Sequence, residues 1–238
     1  MSLLNAMVLP QPNNTMQNII KTMNSKLIKM IAEGEHQRQD FKYCINDSRK
    51  IARSMVAFAN TDGGRLLLGI RDNGTVAGVR SDEEYYMAEA AAKLYSKPSV
   101  EFQTKQWLIE GKTVLEINIP KGESAPYLAQ NEESKWMAYI RKDDQNIIAP
   151  GILLKIWKQQ KSPRGVFIRF SEDEKKLLLL FEAREYLTLN QFTHLAKIQR
   201  RKVEEILVNL IAIGIIKMTI TETGTCFSMS DDFDMSSS

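Results

Sequence analysis

The sequence has few cysteines and no long apolar run. Its 238 residues include two cysteines, Cys44 and Cys226, which are far apart and show no metal-ligand spacing. We therefore expect neither a disulfide framework nor a cysteine zinc site, and we predict that both cysteines are reduced thiols. Apolar stretches such as ILVNLIAIGII are too short to span a bilayer. Since no signal-peptide pattern is visible either, we expect a soluble cytoplasmic protein with no membrane partner.

The sequence also lacks a strong excess of either charge. It contains 32 lysines and arginines against 29 aspartates and glutamates, which gives a formal net charge of +3. That balance does not by itself indicate nucleic-acid binding, so the distribution of charge matters more than its total. The 43% of hydrophobic residues is enough to form the core of one large or two small domains.

Residues 25–160 have the pattern of an α+β domain, and we treat residues 1–24 as an N-terminal arm. Strand and helix signals alternate in the order β-α-β-β-α-β-β-β-β, which predicts a mostly antiparallel sheet. The strongest hairpin signal is RLLLGIRDNGTVAGV, where Asp-Asn-Gly separates two apolar runs. The stretch GILLKIWKQQ predicts a helix that closes this domain.

The pattern changes after residues 161–170, which contain KSPRG and have the composition of a linker. From residue 171 to residue 230, three helical segments precede a hairpin, and only a short turn separates the second helix from the third. This is the order of elements in a small winged helix-turn-helix domain. Residues 231–238 are acidic and rich in serine, which predicts a disordered tail.

The stretch GEHQRQDFK places two acids close together before and within a predicted strand. Alternate residues of a strand share a face, so Asp40 and Lys42 should point the same way while Phe41 points into the core. Asp72 ends a later strand and would join Glu35 and Asp40 if the two strands were neighbours. Three carboxylates are a usual ligand set for Mg²⁺ or Mn²⁺, which can activate water for phosphodiester cleavage. In that case Lys42 would steady the phosphate.

A plainer interpretation of the same acids remains open. Asp72 begins the DNGT segment, where aspartate is favoured for turn geometry alone. Glu35 and Asp40 can be solvated, or they can pair with Arg38 and Lys42. The local sequence does not decide between a metal site and this alternative.

Four motifs resemble the Schlafen AlbA-like domain, a family regarded as DNA-binding: GEHQRQDFK, AFANTDGGRLLLGIRDNGTVAGV, PYL and AYIRK. The resemblance covers about residues 27–150. The family opens with Gly-Glu-Ser, a variable stretch and Glu-Phe-Lys, so His36 and Asp40 depart from its pattern. Some Schlafen proteins use such acids as a metal-dependent ribonuclease site, and the resemblance places those acids at Glu35, Asp40 and Asp72.

A dense group of basic residues lies at the start of the predicted third helix of the second domain. In helix-turn-helix proteins this helix enters the major groove, where arginine binds guanine or phosphate and glutamine binds adenine. Alternatively, Glu204 and Glu205 neutralise these bases at helical spacing, or the domain docks a protein. The candidate nucleic-acid contacts of this domain are Lys197, Gln199, Arg200, Arg201, Lys202 and, in the hairpin, Lys217.

The sequence as a whole predicts a nucleic-acid-binding protein, specifically a DNA-binding transcriptional regulator that prefers DNA to RNA and forms a homodimer. Binding should need no cofactor, and no ATP site is expected because Lys-Ser/Thr does not follow Gly63-Gly64. The alternatives are a Mg²⁺- or Mn²⁺-dependent endoribonuclease and a dimerising protein-interaction module. In the first domain, phosphate contacts are expected from Arg38, Lys42, Arg65 and Arg71.

Overall fold

A computed structural model describes residues 24–79, 82–163, 170–221 and 224–231. Its chain divides after Ile147 into two compact units, which we call the first and the second unit. Nearly all of the predicted N-terminal arm and disordered tail, and residues 164–169 of the predicted linker, lie outside the described residues.

The first unit contains helices on both sides of a sheet, as well as a second, smaller sheet. Its elements in chain order are α1 (24–32), β1 (Gln39–Lys42), α2 (Ser48–Ala59), β2 (Gly64–Leu68), α3 (Glu83–Lys93), β3 (Ser96–Lys97), β4 (Gln103–Ile109), β5 (Lys112–Ile119), β6 (Leu128–Gln130), β7 (Trp136–Lys142) and β8 (Gln145–Ile148).

The main sheet has the strand order β1-β2-β5-β4, and the smaller sheet has the order β3-β6-β7-β8. β1 and β2 are parallel because α2 connects them as a crossover, whereas β2-β5 and β5-β4 are antiparallel. One face of the main sheet packs Phe41, Leu67 and Trp107 against α1. The other face contributes Leu66 to the core with α2 and α3. The predicted α+β fold with a mostly antiparallel sheet is therefore confirmed.

Helix α2 forms because its N-terminal cap and the spacing of its apolar residues both favour a helix. The Asp47 side chain accepts a hydrogen bond from the backbone nitrogen of Arg49 at 2.8 Å, which caps the helix. Ile51, Met55 and Phe58 recur at helical spacing and are fully buried. The helix thus brings its C-terminal end to the start of β2.

The predicted hairpin over RLLLGIRDNGTVAGV forms only in part. β2 ends at Leu68, and an isolated bridge between Ile70 and Val76 follows instead of a second strand. The backbone nitrogens of Ala77 and Gly78 both donate to the Gly69 carbonyl, at 2.8 and 2.9 Å, which bends the chain back. The antiparallel partner of β2 is β5, so the expected second strand has no place beside β2.

The second unit contains four described helices and one small sheet of order β10-β11-β9. Three of its helices, α5 to α7, precede the β10–β11 hairpin in the predicted order. The elements are α4 (Gly151–Gln160), α5 (Glu172–Leu179), β9 (Leu187–Thr188), α6 (Leu189–Ala196), α7 (Arg200–Ala212), β10 (Ile216–Thr221) and β11 (Gly224–Met229).

Helix α4 belongs to the second unit, whereas we expected it to close the first domain and to place the boundary at residue 160. Its buried residues, Ile152 and Ile156, lie one helical turn apart and join the core that contains Phe192, Leu207 and Phe227. The boundary predicted at the KSPRG linker was therefore too late, because α4 buries its apolar face against the second unit.

Two further expectations concern membrane-spanning helices and the two cysteines. Within the described ranges, none of the helices combines the length and the apolar character that a membrane crossing requires. Cys44 and Cys226 are both free thiols, as predicted.

Candidate nucleic-acid interface

The stretch that carries Glu35 and Asp40 forms a tight turn ahead of β1. The backbones of His36 and Gln39 exchange two hydrogen bonds of 3.0 and 3.1 Å, which places Gln37 and Arg38 at the tip of the turn. The Gln39 side chain donates to the carbonyl oxygens of Met30 and Gly34 at 2.5 and 2.7 Å. The turn is thus attached to the end of α1, and Arg38 is exposed.

Arg141 on β7 holds this turn in place through hydrogen bonds to its backbone. Its guanidinium is buried and donates to the Gln39 carbonyl at 3.1 Å, to the Asp143 carbonyl at 3.1 Å and to Asn146 Oδ1 at 3.2 Å. It also reaches the His36 carbonyl at 3.4 Å. We assigned no role to Arg141 from the sequence, although it lies in the AYIRK motif. Its donors are used internally, so it positions the turn and does not face a ligand.

Glu35 and Asp40 meet, as the sequence suggested, and Lys42 lies on the same face of β1. Asp40 is 3% exposed, and its carboxylate lies 2.8 Å from Lys42 Nζ and 3.7 Å from Arg141 Nη2. Glu35 Oε1 accepts a hydrogen bond from the backbone nitrogen of Phe41 at 2.7 Å. The predicted direction of the Asp40 and Lys42 side chains is therefore confirmed, but these two groups pair with each other.

The two carboxyl groups differ in the direction of their pKa shifts. Burial raises the pKa of Glu35 to about 7, and its hydrogen bond with Asp40 adds to the rise. Burial also acts to raise the pKa of Asp40, but the hydrogen bond with Glu35 and the charges of Lys42 and Arg141 outweigh it, so the pKa of Asp40 is lowered. Glu35 is therefore the acid of this pair that binds a proton as the pH falls through about 7.

Asp72 does not complete a metal site with these acids. It lies exposed in the turn after β2, since the partial hairpin carries it out into solvent. In the part of the chain that the structure describes, no group of three His, Cys, Asp or Glu side chains is arranged to hold a metal ion. The residues present thus do not fit the Mg²⁺ or Mn²⁺ ligand set of Glu35, Asp40 and Asp72 that we considered.

A basic pocket of about 350 Å³ opens beside the turn. We call it the Gly63–Gly64 pocket, because these glycines allow three backbone segments to approach one another. A Cβ on Gly63, whose φ is +68°, would lie 2.8 Å from the Lys121 nitrogen, and one on Gly64 would lie 2.9 Å from the Arg38 carbonyl. The lining residues are His36, Arg38, Asp62, Gly63, Gly64, Arg65 and 118–121.

The predicted phosphate contacts of the first unit divide into free and paired cations. Arg38 and Arg71 are exposed, and the Arg71 guanidinium lies 4.7 Å from the centre of the Tyr43 ring. Lys42 pairs with Asp40, and Arg65 Nη2 lies 3.5 Å from a carboxylate oxygen of Glu33. Lys121 is an exposed cation of the pocket that the sequence analysis missed, because it depends on where β5 ends in space.

Three of the six predicted contacts of the second unit already have acidic partners. Arg200 lies 3.3 Å from Glu204 at i,i+4, Lys202 lies 3.8 Å from Glu205 at i,i+3, and Lys217 lies 2.8 Å from Asp231. The alternative that Glu204 and Glu205 neutralise this cluster is thus realised for Arg200 and Lys202. Three predicted residues are exposed and have no acidic partner within the described ranges: Lys197, Gln199 and Arg201.

Comparison with known proteins agrees with the sequence resemblance. Residues 35–150 match the model of the family described as Schlafen, AlbA_2. These residues form a Schlafen AlbA-like domain. The turn, the Gly63–Gly64 pocket and Arg141 all lie within this domain. No curated protein matches the chain.

Solved structures give only distant likenesses. A protein from Corynebacterium diphtheriae aligns with 90% of this chain at 15% identity and a TM-score of 0.42, and this chain covers 39% of that protein. The N-terminal domain of a RecG-related protein from Nitrosomonas europaea aligns with 53% of this chain at 19% identity and a TM-score of 0.35, and 94% of that domain is covered.

Proposed function

We propose that this protein binds nucleic acid and that it acts as a DNA-binding transcriptional regulator. The observation that carries the proposal is the group of exposed cations around the Gly63–Gly64 pocket of the Schlafen AlbA-like domain. Arg38 and Lys121 have no acidic partner among the described residues, so both are available to phosphate. Arg71 offers a further contact from the neighbouring turn.

We propose that the second unit is a winged helix-turn-helix domain. The order α5, α6, α7 and the β10–β11 hairpin supports this assignment, and β9 adds the third strand of its sheet. In this proposal α7 enters the major groove of DNA, with Arg201 and Gln199 at its N-terminal end. Arg200, Lys202 and Lys217 would bind phosphate only after exchanging their present acidic partners.

The endoribonuclease alternative receives less support from the site. It requires a metal ion held by Glu35, Asp40 and Asp72, and Asp72 is in a separate exposed turn. Asp40 is also already paired with Lys42 at 2.8 Å. We therefore do not derive a cleavage step from these residues.

A homodimer and a cytoplasmic location remain part of the proposal. Helix-turn-helix regulators bind two half-sites through a two-fold dimer, so a dimer follows from the proposed mode of binding. Sedimentation at micromolar concentration checks it, and a monomer there would count against the paired arrangement. A protein-interaction module would also dimerise, but it would not bind DNA.

The proposal is tested by fluorescence anisotropy with labelled duplex DNA, single-stranded DNA and structured RNA. We expect tighter binding to duplex DNA than to RNA. We also expect affinity to fall steeply as salt rises, because phosphate contacts release counterions. A parallel denaturing gel in Mn²⁺ or EDTA, with a Glu35→Ala/Asp40→Ala variant, detects cleavage. Absent or salt-independent binding would contradict the proposal, and metal-dependent cleavage that needs both acids would replace it with the nuclease.

A further inference from the structure

We propose that the Gly63–Gly64 pocket is a discrete binding site for one phosphate group of the nucleic acid, with Arg38 and Lys121 as its main ligands. The inference rests on the proposed nucleic-acid binding and deepens it. General electrostatic attraction needs only a basic surface. A discrete site also needs a concave volume, cations on more than one side and walls that are fixed before the ligand arrives.

The volume of the pocket suits a phosphate group. Its 350 Å³ is roughly ten times the share of one water molecule in the liquid, about 30 Å³. A tetrahedral phosphate and part of the attached sugar therefore fit. A side chain at Gly63 or Gly64 would collide with the backbone at Ile119–Lys121 or with the Phe58 ring, so the pocket requires glycine at both positions.

The charges of the pocket favour an anion. Arg38 approaches from the turn before β1, Lys121 from the end of β5, and Arg65 from β2. Arg65 is partly neutralised by Glu33 at 3.5 Å. One acid, Asp62, also lines the pocket.

Asp62 is itself held by a neighbouring side chain. Its Oδ2 accepts a hydrogen bond from Gln37 Nε2 at 3.0 Å. This bond leaves the negative charge of Asp62 in place, but the three lining cations, Arg38, Arg65 and Lys121, outnumber it. A phosphate placed between Arg38 and Lys121 would therefore receive charge-assisted hydrogen bonds from two sides.

The walls that carry the two main ligands are fixed in advance. The turn that carries Arg38 is held by Arg141 and by Gln37, which also donates to the Arg141 carbonyl at 3.1 Å. The opposite wall is anchored where the Gly122 nitrogen donates to the Ala59 carbonyl at 2.8 Å. Such preorganisation lowers the entropic cost of binding.

The test uses the full-length protein with inorganic phosphate as the probe, followed by backbone amide NMR shifts. Phosphate is compared with chloride at equal ionic strength in wild type, in Arg38→Gln/Lys121→Gln and in Lys50→Gln. Lys50 is an exposed cation near the opposite end of α2, roughly 15 Å away along the helix. Thermal melting confirms that each variant is folded.

We expect saturable, phosphate-specific shifts at Gly63 and Gly64 in wild type and in Lys50→Gln, and their loss in the double variant. Shifts that are absent in wild type, or unchanged in the double variant, would contradict the proposed phosphate site. Anisotropy with wild-type protein and duplex DNA, recorded alongside, separates the two proposals. If DNA still binds while the phosphate shifts are missing, only the pocket fails.

Oligonucleotides with a 5′-phosphate or a 5′-hydroxyl identify the source of the phosphate. Tighter binding of the 5′-phosphate form that disappears in the double variant assigns a terminal phosphate. Equal binding of both forms that weakens about tenfold in the double variant assigns an internal backbone phosphate. If neither oligonucleotide loses affinity in the double variant, the inference is wrong.

Discussion

The two units of this protein use their basic residues in different ways. In the first unit, Arg38 and Lys121 are distant in sequence, yet they lie exposed around one pocket. In the second unit, residues 197–202 (KIQRRK) form a dense basic cluster, but Glu204 and Glu205 of the same helix pair with Arg200 and Lys202. Basic residues that are adjacent in sequence therefore overstate the charge available to a ligand, because a helix brings its own i+3 and i+4 acids alongside.

The largest expected effect concerns Arg141, the buried cation that positions the pocket. Arg141→Met leaves Asp40 without one of its cations and removes donors from the turn, so the free energy of unfolding should fall by about 3–5 kcal/mol. Urea unfolding in a Trp157→Phe background measures this, because the remaining tryptophans, Trp107 and Trp136, are both in the first unit.

The matched control for Arg141 is its neighbour on β7. Lys142→Gln removes an ion pair with Asp143 at the surface, which should cost less than about 1 kcal/mol. Equal losses for the two variants would mean that Arg141 has no special role in holding the turn. The contrast between a first unit whose site is held in place before binding and a second unit whose cations pair with acids would then have no support.

A smaller effect, on DNA affinity, should distinguish the cation of α7 without an acidic partner from a paired one. Arg201 is exposed and has no acidic partner in the described part of the chain, so Arg201→Gln should weaken DNA binding about fivefold. Arg200 is bound to Glu204 and to Asn190 Oδ1 at 2.7 Å, so Arg200→Gln should weaken it less than about twofold. Anisotropy at one salt concentration measures both variants. The reverse order would show that the ion pairs of α7 open on binding.

A further prediction concerns the pH dependence of stability, where acids of the two units respond in opposite directions. Burial raises the pKa of Glu35 to about 7, while a hydrogen bond from Lys155 lowers the pKa of Glu204. The contribution of Glu35 to stability is therefore present below about pH 4.5 and is lost as pH rises through 7, whereas that of Glu204 is lost in acid.

Glu35→Gln should remove the part of the stability decline that lies between about pH 4.5 and 7, since glutamine cannot ionise. Urea unfolding of the Trp157→Phe background at several pH values measures the decline. Glu35→Asp is the control, because it keeps an ionisable group. If Glu35→Gln showed the same decline as the parent, the titration of Glu35 would have no part in stability.

The local pattern predicted what lies within one element. It identified the helices, the shared face of Asp40 and Lys42, and the possible pairing of Arg200 with Glu204, each of which depends on nearby residues. Arg141 and Lys121 could not be assigned in this way, because their roles come from the positions of β7 and β5 relative to β1 and β2. Asp72 lies apart from Glu35 for a related reason: β1 and β2 are neighbours but parallel, so the residues before β1 and those after β2 lie at opposite ends of the strand pair.

The most direct test of the account is the salt dependence of duplex DNA affinity in two matched double variants. Arg38→Gln/Lys121→Gln removes free cations of the first unit, and Arg200→Gln/Lys202→Gln removes paired cations of the second. We predict that the slope of log affinity against log salt falls in magnitude by about 1.8 for the first variant and by less than about 0.5 for the second. An unchanged slope for Arg38→Gln/Lys121→Gln would contradict the claim that the first unit contacts phosphate through this pocket.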